Sequence, residues 1–124
     1  MKLVVFRDSV LSMQVQQNLL HVEKTLVAIG QSGNVDNKQL LLFVESLALP
    51  LVLDQNELEF SHQVRAVCLR FQELVRKYNL EVICCARSLL EWGYKSSWVI
   101  LPEENIGVHD LFDTEKYQIS EVKV

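Results

Sequence analysis

The sequence holds little of what most site signatures require. Its 124 residues include four glycines, two prolines and three cysteines. The glycines are scattered and form neither G-x-G-x-x-G nor G-x-x-x-x-G-K, so there is no phosphate-cradling loop, which counts against a flavin- or nucleotide-binding domain. Three cysteines, two of them adjacent, are a poor disulfide framework and fit a reducing cytoplasm. A closed zinc site needs more Cys or His at ligand spacing than the chain offers, and no cofactor or metal is expected. Lys and Arg number 12 against 16 Asp and Glu, a net charge of −4. That leaves no broad basic surface for a nucleic-acid backbone and excludes tight, direct RNA or DNA binding. The longest apolar stretch, Gln39 to Leu53, is broken by Glu45, Ser46 and Pro50, too short and too interrupted to cross a bilayer. No basic n-region with an apolar stretch and cleavage site marks a signal peptide. Ser9 has no base at motif spacing, so a serine hydrolase is not supported. Internal repeats and low-complexity tracts are absent.

What is there is a core. Apolar residues make up 49% of the chain, enough to argue against disorder, and the length suits one domain over residues 1–124. Lys2 to Phe6 reads as a buried strand. Ser12 is placed to cap a helix reaching Ile29, with Val15, Leu19, Val22, Leu26 and Ile29 on one face and Gly30 as its stop. Gln39 to Val44 is a second, fully apolar strand, and Pro50 makes Ser46 to Asp54 a loop or broken turn. A second amphipathic helix is expected from Asn56 to Tyr78, ended by Asn79. Leu80 to Cys85 is a third strand, Ala86 to Trp92 a short helix stopped by Gly93, and Trp98 to Leu101 a fourth strand stopped by Pro102. Gly107 to Phe112 reads as a short helix and Gln118 to Val124 as an edge strand. Strands alternating with helices imply a three-layer α/β/α domain with a mostly parallel sheet of about five strands, helices covering both faces.

The pair Cys84-Cys85 stands where the third strand hands over to a helix. Open α/β sheets bind ligands outside the carboxyl ends of their strands. The following helix would turn its free N–H groups toward the same place and favour a thiolate, the reactive form of cysteine. Arg87 and Lys95 are the candidate cations nearby. Neighbouring strand side chains point to opposite faces, so one cysteine of the pair is core. Cys68 falls on an apolar helix face and reads as packing. His21, His62 and His109 lie far apart and are assigned no chemistry, with His109 the one nearest a sheet end. Asp8 and Ser9 end strand one and face the same crevice region. Trp92 and Trp98 read as core or interface anchors, and the apolar content suggests a surface covered by another subunit.

Residues Val64 to Gly93 carry a more specific pattern: an amphipathic helix, Lys77-Tyr78-Asn79, the strand Leu80 to Cys85, then Ala86 to Gly93. In this block the chain resembles the DsrE/TusD family of small cytoplasmic sulfur-carrier proteins. Weaker matches are the first strand, Ala28-Ile29-Gly30, Leu42-Phe43-Val44 and Ile106-Gly107. The family's sulfur-carrying cysteine precedes the glycine by eight residues, which selects Cys85 over Cys84. Two departures stand out. The loop Arg7-Asp8-Ser9-Val10 has no glycine, and Glu45-Ser46 replaces a frequent Asp-Gly step.

The resemblance implies sulfane-sulfur relay through a Cys85 persulfide, in tRNA thiolation or sulfur oxidation. It implies a protein donor and a thiol-bearing acceptor, homo- or hetero-oligomers, and neither direct nucleic-acid nor membrane binding. Some family members lack the cysteine and serve as structural subunits, so a non-catalytic assembly role stands as the alternative.

Overall fold

In the computed structural model, residues 2–31, 40–56, 58–101, 106–109 and 120–121 are described. Lys2–Phe6 (β1), Leu40–Val44 (β2) and Glu81–Cys85 (β3) form the centre of a parallel sheet. β1 and β2 pair from Lys2↔Leu40 to Phe6↔Val44, and β2 and β3 from Leu41↔Glu81 to Val44↔Cys84. Two short segments add in parallel at the margins. Ile106–His109 (β4) lies beside β3, and Ser120–Glu121 (β5) lies beside β1. The strand order is β4-β3-β2-β1-β5.

The two long helices are Met13–Gln31 (α1) and His62–Tyr78 (α2). Ser12 begins α1, its Oγ accepting the Val15 N–H at 3.2 Å. Ser61 does the same for α2, accepting from the Val64 N–H at 3.2 Å. The second helix therefore starts six residues after the expected Asn56. A capping hydroxyl, not the onset of helix-compatible residues, sets the boundary. Asn79 closes α2 in the left-handed conformation, φ 52 and ψ 49, as expected of a C-terminal cap. The first helix runs through Gly30 to Gln31 rather than stopping at it.

Both helices pack on the same sheet face. Val4, Phe6, Leu42, Val44, Val82 and Cys84 share one core with Leu19 and Val22 of α1 and Phe71 and Val75 of α2. Phe6 meets Phe71 edge-on, with ring centroids 5.2 Å apart. Arg70 ties the helices together on the outside, donating from Nε and Nη2 to Glu23 Oε1 at 2.8 and 2.6 Å. The shared face follows from strand order. β1, β2 and β3 add in one direction, so successive right-handed crossovers land on one side. The opposite face carries Leu3, Leu41, Phe43 and Cys85, with Val5 and Ile83 beside them. The expectation of helices on both faces is met on one face among the described residues.

Between β2 and α2 the chain forms a 3-10 helix, Ser46–Val52, with Ala48, Leu49, Leu51 and Val52 buried. Two buried amides hold its end. Gln72 Nε2 donates to the Leu51 and Leu53 carbonyls, both at 3.0 Å, and Gln55 Nε2 to those of Pro50 and Leu53 at 3.1 and 2.9 Å.

The expected fourth strand is misplaced. Ser96–Trp98 is a 3-10 turn and Val99 makes an isolated antiparallel bridge to Leu53. The Asp54 N–H donates to the Trp98 carbonyl at 2.7 Å and the Ile100 N–H to that of Val52 at 3.0 Å. This apolar run covers the 3-10 segment instead of joining the sheet. The strand beside β3 is Ile106–His109, which overlaps the helix expected from Gly107; the remainder of that helix, residues 110–112, lies outside the described residues, as does the expected edge strand apart from residues 120–121. No described helix is long and apolar enough to cross a membrane.

Candidate functional site

Cys85 is the last residue of β3 and the N-cap of Ala86–Glu91 (α3), with φ −75 and ψ 112. Period-two alternation separates it from its neighbour. Cys84 joins the helix-covered core and is fully buried, whereas Cys85 lies on the other face with Leu3, Leu41 and Phe43. Cys85 is nonetheless only 6% exposed. The sequence expectation of a readily reachable sulfur therefore meets an apolar surround, and no side-chain cap bond forms to α3.

The other two thiols are withdrawn from chemistry. Burial pushes Cys84 up to about 12, and the adjacent Cys85 adds to the rise. Burial likewise pushes Cys68 up to about 12. Near neutral pH both remain protonated and packed, as a desolvated thiol must. All three cysteines are free thiols.

α3 spans six residues, so the dipole it turns toward Cys85 is small. It is held by its partners. Leu89 enters the main core, and Ser88 Oγ accepts the Ser46 N–H at 3.0 Å. Ser46 sits directly beyond β2 with φ 54, a left-handed backbone that a non-glycine residue rarely adopts. Gly93, with φ +71, closes the turn after α3, where the Gly93 N–H donates to the Leu90 carbonyl at 3.2 Å.

The expected cations divide. Lys95 Nζ stands 5.5 Å from the centroid of the Trp98 ring, and Arg87 is exposed. Arg7 Nε pairs with Glu45 Oε1 at 3.2 Å, bridging the carboxyl ends of β1 and β2. Asp8 and Ser9 are exposed beyond β1, on the sheet's carboxyl edge, where the Ser9 carbonyl accepts the Ser12 N–H at 2.8 Å. Trp92 is exposed and Trp98 packs partly buried against the core. His21 lies on α1 and His62 at the start of α2, and His21 Nε2 is buried without a hydrogen-bond partner.

Two features escape the sequence reading. One is the Ser46–Ser88 link between the exit of β2 and α3. The other is the strand register of His109, which the sequence places near a sheet end and the structure pairs with Cys85 as the last residue of β4. The signal for His109 was its position at the end of a short apolar segment, masked because four residues fit a helix start as well as a strand. Among the described residues no three His, Cys, Asp or Glu group to hold a metal ion.

No protein-family model matches the chain, and no curated protein sequence matches it significantly. Three chains of solved structures do match. One is the crystal structure of the ychN protein from E. coli, with a TM-score of 0.57 and 16% sequence identity over 98% of this chain and 100% of that one. At that identity the likeness is one of fold: a mixed α/β domain built on a parallel sheet.

Proposed function

We propose that this chain is a DsrE-type sulfur carrier that relays sulfane sulfur through a Cys85 persulfide. In this reading β4 and β5 complete the five-stranded sheet of a three-layer α/β/α domain. The observation that carries it is the place of Cys85. Strands β1 to β4 add in one direction and β5 lies at the opposite edge. Open α/β sheets take their ligands outside the carboxyl ends of their strands. Cys85 is the residue that ends β3 there. The eight-residue interval to Gly93 supports the same choice.

The reaction needs no cofactor. The Cys85 thiolate attacks the outer sulfur of a donor persulfide, R–S–SH. A new S–S bond forms on Cys85, the donor's S–S bond breaks, and R–S⁻ leaves to take up a proton. The product Cys85–S–SH passes its outer sulfur to an acceptor thiol by the same exchange. Both partners are proteins in a cytoplasmic relay, and the carrier works as a homo- or hetero-oligomer.

The burial of Cys85 favours a second reading, a non-catalytic subunit of the same fold that serves assembly. One experiment separates them. The protein is incubated with a cysteine-desulfurase persulfide donor and its intact mass is measured. The carrier gains one sulfur atom and Cys85→Ser gains none. Equal gain by Cys85→Ser, or no gain by the wild type, rules the carrier out and leaves the assembly role.

A further inference from the structure

The outward side of α1 carries an apolar stripe of its own. Met13, Leu20 and Val27 recur at every seventh position and are 74%, 45% and 55% exposed. Seven residues are close to two helical turns, so the three stand in one row. Val15, Leu19, Val22 and Leu26 are buried on the side that meets the core. Gln16, Gln17 and Lys24 lie between the exposed three and are exposed as well. The 19 residues of α1 include one acid, Glu23, and one base, Lys24, and Glu23 is taken by Arg70. A helix that faces only water carries charge along its outer side, whereas an apolar row with charge thinned out around it has the composition of an interface core.

We propose that this stripe is a self-association surface, on which a second copy of the chain docks its own α1 antiparallel about a two-fold axis at Leu20. The row is its own complement under that operation. Leu20 meets Leu20 of the second copy, and Met13 meets Val27, a long side chain against a short one. Lys24 falls opposite Gln16 and Glu23 opposite Gln17, so no like charges face each other. The two charges of α1 cancel, and the chain's net −4 lies off the contact. Antiparallel helices also set opposite dipole ends side by side. Residues 13 to 28 give a row about 24 Å long on a helix about 10–12 Å wide. Packed helix to helix, the two copies cover on the order of 1,000 Å², the lower limit for a specific interface. The dimer is therefore weak and reversible, with a dissociation constant between about 1 μM and 1 mM. The surface gives the oligomer of the preceding reading a place, but it uses no thiol and lies on the sheet face opposite Cys85.

Sedimentation velocity and cysteine cross-linking test it. The full chain should sediment as a monomer near about 1 μM and shift to a dimer toward about 1 mM. Leu20→Glu should stay monomeric throughout with its urea midpoint unchanged, because the position is half-exposed. In a Cys85→Ser background under mild oxidation, Leu20→Cys should link to itself at least about tenfold faster than Ser97→Cys, exposed on the 3-10 turn after α3. Met13→Cys and Val27→Cys should each stay unlinked alone, because like residues stand about 21 Å apart along the paired helices, and should link to each other when mixed. A wild type that is monomeric at every concentration overturns the proposal and leaves the stripe to a different protein. Association that survives Leu20→Glu and is lost in Leu90→Ala/Trp92→Ala overturns it in favour of α3, whose end also exposes apolar side chains. Efficient linking of Met13→Cys to itself refutes the antiparallel register. No readout uses a sulfur donor. A dimer that takes up no sulfur keeps the surface and removes the carrier; a monomer that loads Cys85 does the reverse.

Discussion

Alkaline pH should loosen this fold through two thiols that do no chemistry. Cys68 and Cys84 are completely buried, and burial raises each from an ordinary 9.0 to about 12. In the unfolded chain each ionises above its ordinary value, whereas in the folded state each keeps its proton until the raised one. The unfolded state therefore binds fewer protons between these limits, and stability is complete below pH 9 and falls as pH rises toward 12. The slope is about 1.4 kcal/mol per pH unit for each thiol. One unit above the ordinary value, the two together cost roughly 3 kcal/mol, a large share of a typical domain's 5–15 kcal/mol. Urea unfolding at neutral pH and at about pH 10 measures the loss. Tyrosines and lysines also titrate there, so the decisive comparison is with Cys68→Ala/Cys84→Ala. That double variant starts less stable because two buried side chains are truncated, yet it should lose less on alkalinisation. Parallel declines in the two proteins would refute the reasoning.

Three further outcomes follow from the packing. Gln72→Leu removes the one side-chain donor given to the Leu51 carbonyl, while Leu53 keeps its bond from Gln55; urea midpoints should report a loss of about 1–3 kcal/mol, and an unchanged midpoint would show the Leu51 carbonyl satisfied elsewhere. Combining it with Gln55→Leu should cost more than the sum of the two, because Leu53 then loses both donors. Ser46→Gly should stabilise by roughly 0.5–1 kcal/mol, since relief of left-handed strain outweighs the added freedom of the unfolded chain; a lower melting temperature would show that Ser46 is not strained. In the native protein a small alkylating reagent should modify Cys85 at least about a hundredfold faster than Cys68 or Cys84, whose labelling waits on larger openings. Equal rates at all three positions, read by peptide mapping, would favour the assembly role.

The elements that the sequence reveals are those whose signal is local. β1 and β2 read as unbroken apolar runs, and Ser12, Asn79 and Gly93 mark helix ends through their own side chains or backbone freedom. The failures occur where tertiary context decides. Trp98 to Leu101 is apolar because it covers the 3-10 segment, with Leu101 buried and Val99 bridged to Leu53, and an apolar run looks the same whether it packs or pairs. Ile106–His109 owes its strand state to pairing with β3, and four residues containing a glycine carry no readable period. Ser61 is a legible cap, but Asn56 to Phe60 also suit a helix, so the expected start precedes the observed one. At the site, alternation alone separates Cys84 from Cys85.

The place of Cys85 and its reach thus have different physical origins. Place comes from short-range rules: a strand ends, a helix begins, and odd and even residues part to opposite faces. Ser46 illustrates how firmly that geometry is held, because it keeps φ 54 at a step where the resemblance leads one to expect glycine, with its N–H bound to Ser88. Reach depends on what packs over the second face, and a residue at 6% exposure reacts through the fraction of molecules in which that packing is open. Local openings cost anything from almost nothing up to the full stability of the fold, and each 1.4 kcal/mol changes the open fraction tenfold. The same backbone can therefore present a working carrier or an inert subunit, the difference being a few kcal/mol in the cover over one sulfur atom. A docking partner that binds the open form would supply that energy where it is needed, leaving the isolated chain protected from adventitious oxidation.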